Sequence, residues 1–154
     1  MIKEVSIKKI KNDAEALHKN GDFYCSEAIV CSIKRHLELD MPDEMIAMAS
    51  GFAVGIGKTK CVCGAISGGI MCLGYFFGRT KGKDTKIEKM HILAEELVNS
   101  FKSNHKVLCC KVHTNGMIMG SLEHKEQCVS FTGEIAEKAA QIITRELGII
   151  NIDK

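Results

Sequence analysis

Apolar residues recur at helical spacing through most of this chain, and the breaks between the stripes are set by glycine, asparagine and aspartate. Ile7, Ile10, Ala14 and Leu17 form the first stripe, which stops near Asn20-Gly21. Asp22 is the expected cap of a second helix, which carries Cys25, Ala28, Ile29 and Ile33 and ends near Leu39. Asp40, Pro42, Asp43 and Glu44 together form a helix start ahead of Met45, Ala49 and Phe52, and the glycines at 51, 55 and 57 end that helix in a flexible turn.

From Cys63 to Gly78 the chain is apolar and uncharged, and a helix with Ile87, Met90, Ala94, Leu97 and Phe101 follows. The stretch from Asn104 to Gln127 reads as looser, with Gly116 and Gly120 in it. A last helix is expected from about Cys128 to Leu147, with Ile135, Ala139, Ile142 and Ile143 facing inward. No strand of useful length, internal repeat or linker stands out. The pattern predicts an all-α fold: a single compact multi-helix domain over residues 1–154, built around a glycine-rich central helix.

The uncharged run from Cys61 to Gly78 has about the minimum length for crossing a bilayer. Its five glycines and one serine make it a poor anchor, and they suit a buried helix on which neighbours pack closely. No membrane insertion is expected. The net charge of +2 and the absence of basic runs mixed with aromatics set nucleic acid aside. The residues from Met1 to Lys19 are rich in Lys, Glu and Asp and hold no apolar stretch of signal-peptide length, so a cytoplasmic location is expected.

Eight cysteines then change the picture. In a reducing compartment they point to metal ligation or catalysis rather than to a disulfide framework. Gly57-Lys58-Thr59 resembles the end of a phosphate loop, but Phe52 stands where that loop needs its first glycine, so no nucleotide is expected. The haem-attachment pattern and paired Cys-x-x-Cys zinc elements are absent, so no haem is expected either.

Several cysteines sit at expected helix starts: Cys25 after Asp22, Cys63 at the glycine-rich helix, and Cys128 at the last helix. Cys109 and Cys110 follow the end of a long one. A helix N-terminus favours the thiolate, which is both nucleophile and metal ligand. Cys72 and Cys31 fall on other faces than Cys63 and Cys25 at about 100° per residue, and are assigned to the core. His113, near Cys110, and Lys58 and Lys60, near Cys61, are the polar residues next to this set. A metal ligand or base at His113, and lysines that steady a thiolate or an anionic cluster, are the functional readings; solvated side chains are the expected one for all three.

Tyr24-Cys25-Ser26-Glu27-Ala28 resembles the first cysteine motif of the redox-active family named for its C, GCAxxG, C, C pattern. Gly55-Ile56-Gly57, Cys63-Gly64-Ala65-Ile66-Ser67-Gly68, Leu73-Gly74 and Gly78-Arg79 resemble its central segment, and Phe101, Cys110 and Cys128 are similar to the remainder. The resemblance covers roughly residues 20–145 and implies a helical domain with four key cysteines and a redox role. It also implies frequent company with transport genes, and extends to a domain of split-Soret-type cytochromes that carries an iron–sulfur centre beside haem. Carried over, the four are Cys25, Cys63, Cys110 and Cys128. Cys109 is an alternate for the third, and Cys61 is a further thiol two residues before the second.

Three functions follow as expectations. The first is an electron-transfer or redox-sensing protein holding an iron–sulfur cluster, or secondarily zinc, on those four thiolates. The second is a thiol–disulfide oxidoreductase in which Cys63 attacks and Cys25, Cys61 or Cys110 resolves. The third is a structural partner of a transporter, its cysteines only packing the core. Neither the redox partner nor any substrate is legible.

Overall fold

A computed structural model describes all residues from Met1 to Lys154. Seven helices and one very small sheet make up the fold. Helix α1 (Ile7–Lys19) starts at Ser6, whose hydroxyl accepts the Lys9 N–H, and buries the stripe of Ile7, Ile10, Ala14 and Leu17. Helix α2 (Cys25–His36) is shorter at both ends than its pattern suggested. Its cap is Tyr24 rather than Asp22, because the Glu27 carboxylate turns back to accept the Tyr24 N–H at 2.9 Å. Helix α3 (Glu44–Ala49) and a 3-10 turn at Ser50–Phe52 follow.

The next stretch is not a loose glycine turn. Val54, Gly55, Ile56 and Gly57 all have left-handed φ, from +53° to +68°. The chain thereby coils back on itself, and Cys61 N–H reaches the Gly55 carbonyl at 2.8 Å. A Cβ on Gly55 would lie 2.5 Å from the Cys61 nitrogen, so only glycine fits there. Val54 and Ile56 are β-branched and adopt this backbone at a steric cost.

Helix α4 (Gly64–Phe77) is the glycine-rich one. It packs against α2, against α5 (Lys86–His105) and against α7 (Leu122–Leu147). Its glycines explain how closely. A Cβ on Gly68 would lie 2.7 Å from the Ser26 carbonyl oxygen, and one on Gly69 2.5 Å from Ile135 Cγ2. Backbone and side chain of the neighbours therefore occupy the space that larger residues would need. The central position expected for this helix is the one it takes, and no helix is long and apolar enough to cross a membrane.

Between α5 and α7 lies the four-residue helix α6 (Cys110–His113). Helix α7 begins six residues earlier than its pattern suggested: Ser121 caps it, accepting the His124 N–H at 3.3 Å. The polar run Glu123–Gln127 belongs to its first turns and is not a loop: Glu123, Lys125 and Glu126 are exposed, while His124 and Gln127 are half-buried. Removing that cap (Ser121→Ala) should cost about 1 kcal/mol in urea unfolding. Gly148 ends α7 with φ +69°. Two-residue strands β1 (Glu4–Val5) and β2 (Ile150–Asn151) then pair in parallel, tying the two ends of the chain together. One apolar cluster runs through all the long helices, from Ile10 and Ile33 to Leu73, Phe101 and Ile142.

Candidate functional site

Three backbone devices bring distant cysteines together. Cys25 is the first residue of α2 and Cys63 caps α4. The two helix starts meet because Gly64 lacks a side chain: a Cβ there would sit 2.6 Å from Cys25 Sγ and 2.8 Å from the Phe52 carbonyl oxygen. Cys110 arrives through a short antiparallel clip in which Val62 faces Cys109. In that clip Cys63 N–H donates to Leu108 O at 2.8 Å and Cys110 N–H to Cys61 O at 2.6 Å. Cys128 comes from the seventh residue of α7, whose position is fixed by the core packing of that helix.

The result is one cavity of about 810 Å³ lined by Cys25, Cys63, Cys110 and Cys128, which come from four segments of the chain. No three of the chain's Cys, His, Asp and Glu side chains stand close enough to share a single metal ion. Cys61 is exposed, Cys109 is half-buried with its Sγ 3.8 Å from Lys60 O, and neither lines the cavity. Cys72 is fully buried in the core and Cys31 is buried beside Leu17 and Ala28, as their helical phases required.

The helix-start argument holds for the positions of Cys25 and Cys63, fails for that of Cys128, and fails for charge. Cys128 is well inside α7, so no helix N-terminus acts on it. Cys63 does receive the backbone N–H groups of Ala65 and Ile66, and Cys25 those of Val54 and Ser26. Burial outweighs them. Cys25 is pushed up to about 12 by burial and then by its neighbour Cys63. Cys128 is pushed up to about 12 by burial and then by Cys63 and Cys110. Cys63 and Cys110 are raised, again chiefly by burial. Four thiols pressed together out of water resist becoming four anions.

Histidines enter the cavity that the sequence did not single out. His124 lies one turn before Cys128 on α7. Its Nδ1 accepts the Gly120 N–H at 3.1 Å, which leaves the proton on Nε2, 3.5 Å from Cys128 Sγ. His124 is thus a hydrogen-bond donor to that sulfur. The signal existed, since a four-residue spacing on a helix faces both residues one way, but it needed α7 to begin at Ser121. His18, from α1, also lines the cavity, and its Nδ1 lies 3.0 Å from the Thr132 hydroxyl. That hydroxyl spends its own proton on Cys128 O at 2.8 Å, so His18 is the donor. Burial first, then His124 and Lys125, lower His18 to about 4, so its imidazole is neutral.

His113, by contrast, turns away. It bonds Val107 O through Nε2 at 2.7 Å and packs its ring near Phe101 and Phe131. Its own carbonyl accepts the Gln127 side chain at 2.7 Å, which ties α6 to α7 next to Cys128. Lys58 and Lys60 line the cavity with Lys125, and none of the three has an ion-pair partner. Glu27 serves structure: its second oxygen accepts the Ser50 hydroxyl at 2.8 Å, clasping α2 to the turn before the left-handed coil.

Residues 23–142 match the family model described as "Putative redox-active protein (C_GCAxxG_C_C)". In this chain the central segment reads Cys63-Gly64-Ala65-Ile66-Ser67-Gly68, so the cysteine stands one residue ahead of its place in the pattern that names the family. No curated protein and no solved structure matches the chain.

Proposed function

Since this chain belongs to the C_GCAxxG_C_C family of redox-active proteins, we propose that it holds an iron–sulfur cluster on Cys25, Cys63, Cys110 and Cys128 and serves in electron transfer or redox sensing. The observation that carries this is the shared cavity of about 810 Å³ lined by four cysteines from four segments of the chain. A single zinc ion binds each thiolate at about 2.3 Å and draws all four sulfurs into one tight tetrahedron. No three potential ligands stand that close here. A cluster holds its ligands farther apart, because its own iron and sulfide atoms fill the centre. Thiolate softness also disfavours magnesium or calcium.

The bound cluster would supply a reversible electron couple. The protein's own residues supply the rest. Backbone N–H groups of Ala65 and Ile66 at Cys63, and of Val54 and Ser26 at Cys25, offset negative charge on the ligands. His124 donates to Cys128, and Lys58, Lys60 and Lys125 add positive charge at the walls. Each of these favours the more reduced, more negative state. Gly64 lets Cys25 approach without a side chain between it and the helix start.

A dithiol enzyme with Cys63 as its nucleophile is the less supported reading, because burial pushes the Cys63 and Cys25 thiols away from the thiolate form. Anaerobic reconstitution with ferrous iron and sulfide tests the proposal. A brown protein with matched iron and sulfide is expected, and single Cys→Ser changes at 25, 63 or 128 should each remove most of the iron. A colourless product without iron, or one that takes up zinc alone, would overturn it.

A further inference from the structure

Cys61 has no part in the four-cysteine site, yet the clip that delivers Cys110 sets it directly across from that residue. Val62 faces Cys109, and Cys110 N–H donates to Cys61 O, which fixes the register as 61 opposite 110 and 63 opposite 108. Lys111 N–H donating to Lys60 O at 2.9 Å continues the same register. Cys110 opens α6 and lines the cavity, and the paired backbone sets the exposed Cys61 beside it. Directly opposed residues in an antiparallel pair have Cα atoms about 4.5–5.5 Å apart, inside the window a disulfide requires. Register therefore puts residues 61 and 110 within reach of each other.

We infer that Cys61 and Cys110 are a reversible dithiol/disulfide pair, with Cys110 shared between this pair and the cavity. Exposure orders the steps. Cys61 is exposed, whereas Cys110 is half-buried and lines the cavity. A small disulfide such as glutathione disulfide meets the Cys61 sulfur first. Cys61 thiolate attacks one of its sulfurs, forming a mixed disulfide and releasing one small thiol. Cys110 thiolate then attacks the Cys61 sulfur, the protein disulfide forms, and the second small thiol leaves. One small disulfide is reduced to two thiols while two protein thiols are oxidised. Lys58, Lys60 and Lys111 around the clip attract an anionic disulfide of this kind. Its consequence for the cavity rests on the cluster proposal: with Cys110 tied to Cys61, three ligands remain.

The test uses the full chain prepared without a cluster, treated with glutathione disulfide, quenched in acid, alkylated and mapped by peptide mass spectrometry. The expected product is a cross-linked peptide joining 61 to 110, with two of the eight thiols lost and regained on adding dithiothreitol. Cys61→Ser should abolish the cross-link and leave Cys110 open to alkylation, whereas Cys109→Ser should leave the cross-link unchanged. Circular dichroism confirms that both variants are folded. A cross-link joining 109 to 110, 61 to 63 or 63 to 110, or Cys110 protected equally in wild type and Cys61→Ser, would overturn the inference. Iron uptake gives the second arm. Oxidised wild type should lose uptake until reduced, and Cys61→Ser should keep it after the same treatment. If neither protein ever takes up iron, the cluster proposal fails while the peptide map still decides this one.

Discussion

Gly68→Ala is expected to destabilise the protein by about 1–3 kcal/mol or more and to empty the candidate site of Cys25. The added methyl would lie 2.7 Å from the Ser26 carbonyl oxygen and 2.8 Å from Ser26 Cα, both backbone atoms. A side chain could rotate away, but the first turn of α2 can only move as a body. Ser26 is fully buried and its hydroxyl donates to Ala49 O at 2.8 Å, so that turn is also pinned from the other side. Relief of the clash therefore shifts Cys25, the residue before Ser26, away from Cys63. Iron uptake should fall to the level of Cys25→Ser. Gly74→Ala on the same helix is the contrast. Its methyl would meet only Met90 Cε, at an ordinary 3.9 Å. There the entropic gain of replacing a helical glycine should stabilise by roughly 0.5–1 kcal/mol with uptake unchanged. Urea unfolding and iron per chain decide between them; equal behaviour of the two variants would show that close backbone packing at Gly68 does not hold the site.

This contrast also shows how much of the molecule was legible beforehand. Stripes such as Ile7, Ile10, Ala14 and Leu17 gave the helices, because burial imposes a period that sequence displays directly. The glycine-rich helix could be placed at the centre for the same reason. Cys25 and Cys63 were placed correctly at helix starts. Cys128 was not, because Glu123 to Gln127 is polar throughout, and a polar helical turn looks like a loop when only apolar spacing is counted. Missing the cap at Ser121 also hid His124. The left-handed coil could not be anticipated at all: Val54 and Ile56 are residues that backbone sterics exclude from that region, and only tertiary contacts hold them there. The clip between Val62 and Cys109 is a single bridge, too short to leave any alternation, yet it decides which of two adjacent cysteines enters the cavity.

Alkaline pH should unfold the cluster-free protein well before it harms the loaded one. Cys25, Cys72 and Cys128 are all pushed, chiefly by burial, from an ordinary 9.0 to about 12. Below pH 9 the folded and unfolded chains both keep these protons, and stability does not depend on them. Between pH 9 and 12 the unfolded chain releases protons that the folded chain retains. Rising pH therefore favours unfolding, by about 1.4 kcal/mol per pH unit for each such thiol. Three such thiols acting together would consume a typical domain's stability within a few units. Urea midpoints followed from pH 7 to 11 should stay flat and then fall steeply. Cys72→Ala should make the fall shallower by one thiol while leaving iron uptake alone, since Cys72 does not line the cavity. An unchanged alkaline limb in that variant would show that buried thiols are not its cause. The same protons link pH to loading. Ligating cysteines must be thiolates, so filling a cavity whose four thiols burial keeps protonated expels protons, and uptake should rise from pH 6 to 9. Once loaded, those four cysteines have no protons left to lose, alkaline unfolding is left to the buried Cys72 and Cys31, and the stability curve flattens accordingly.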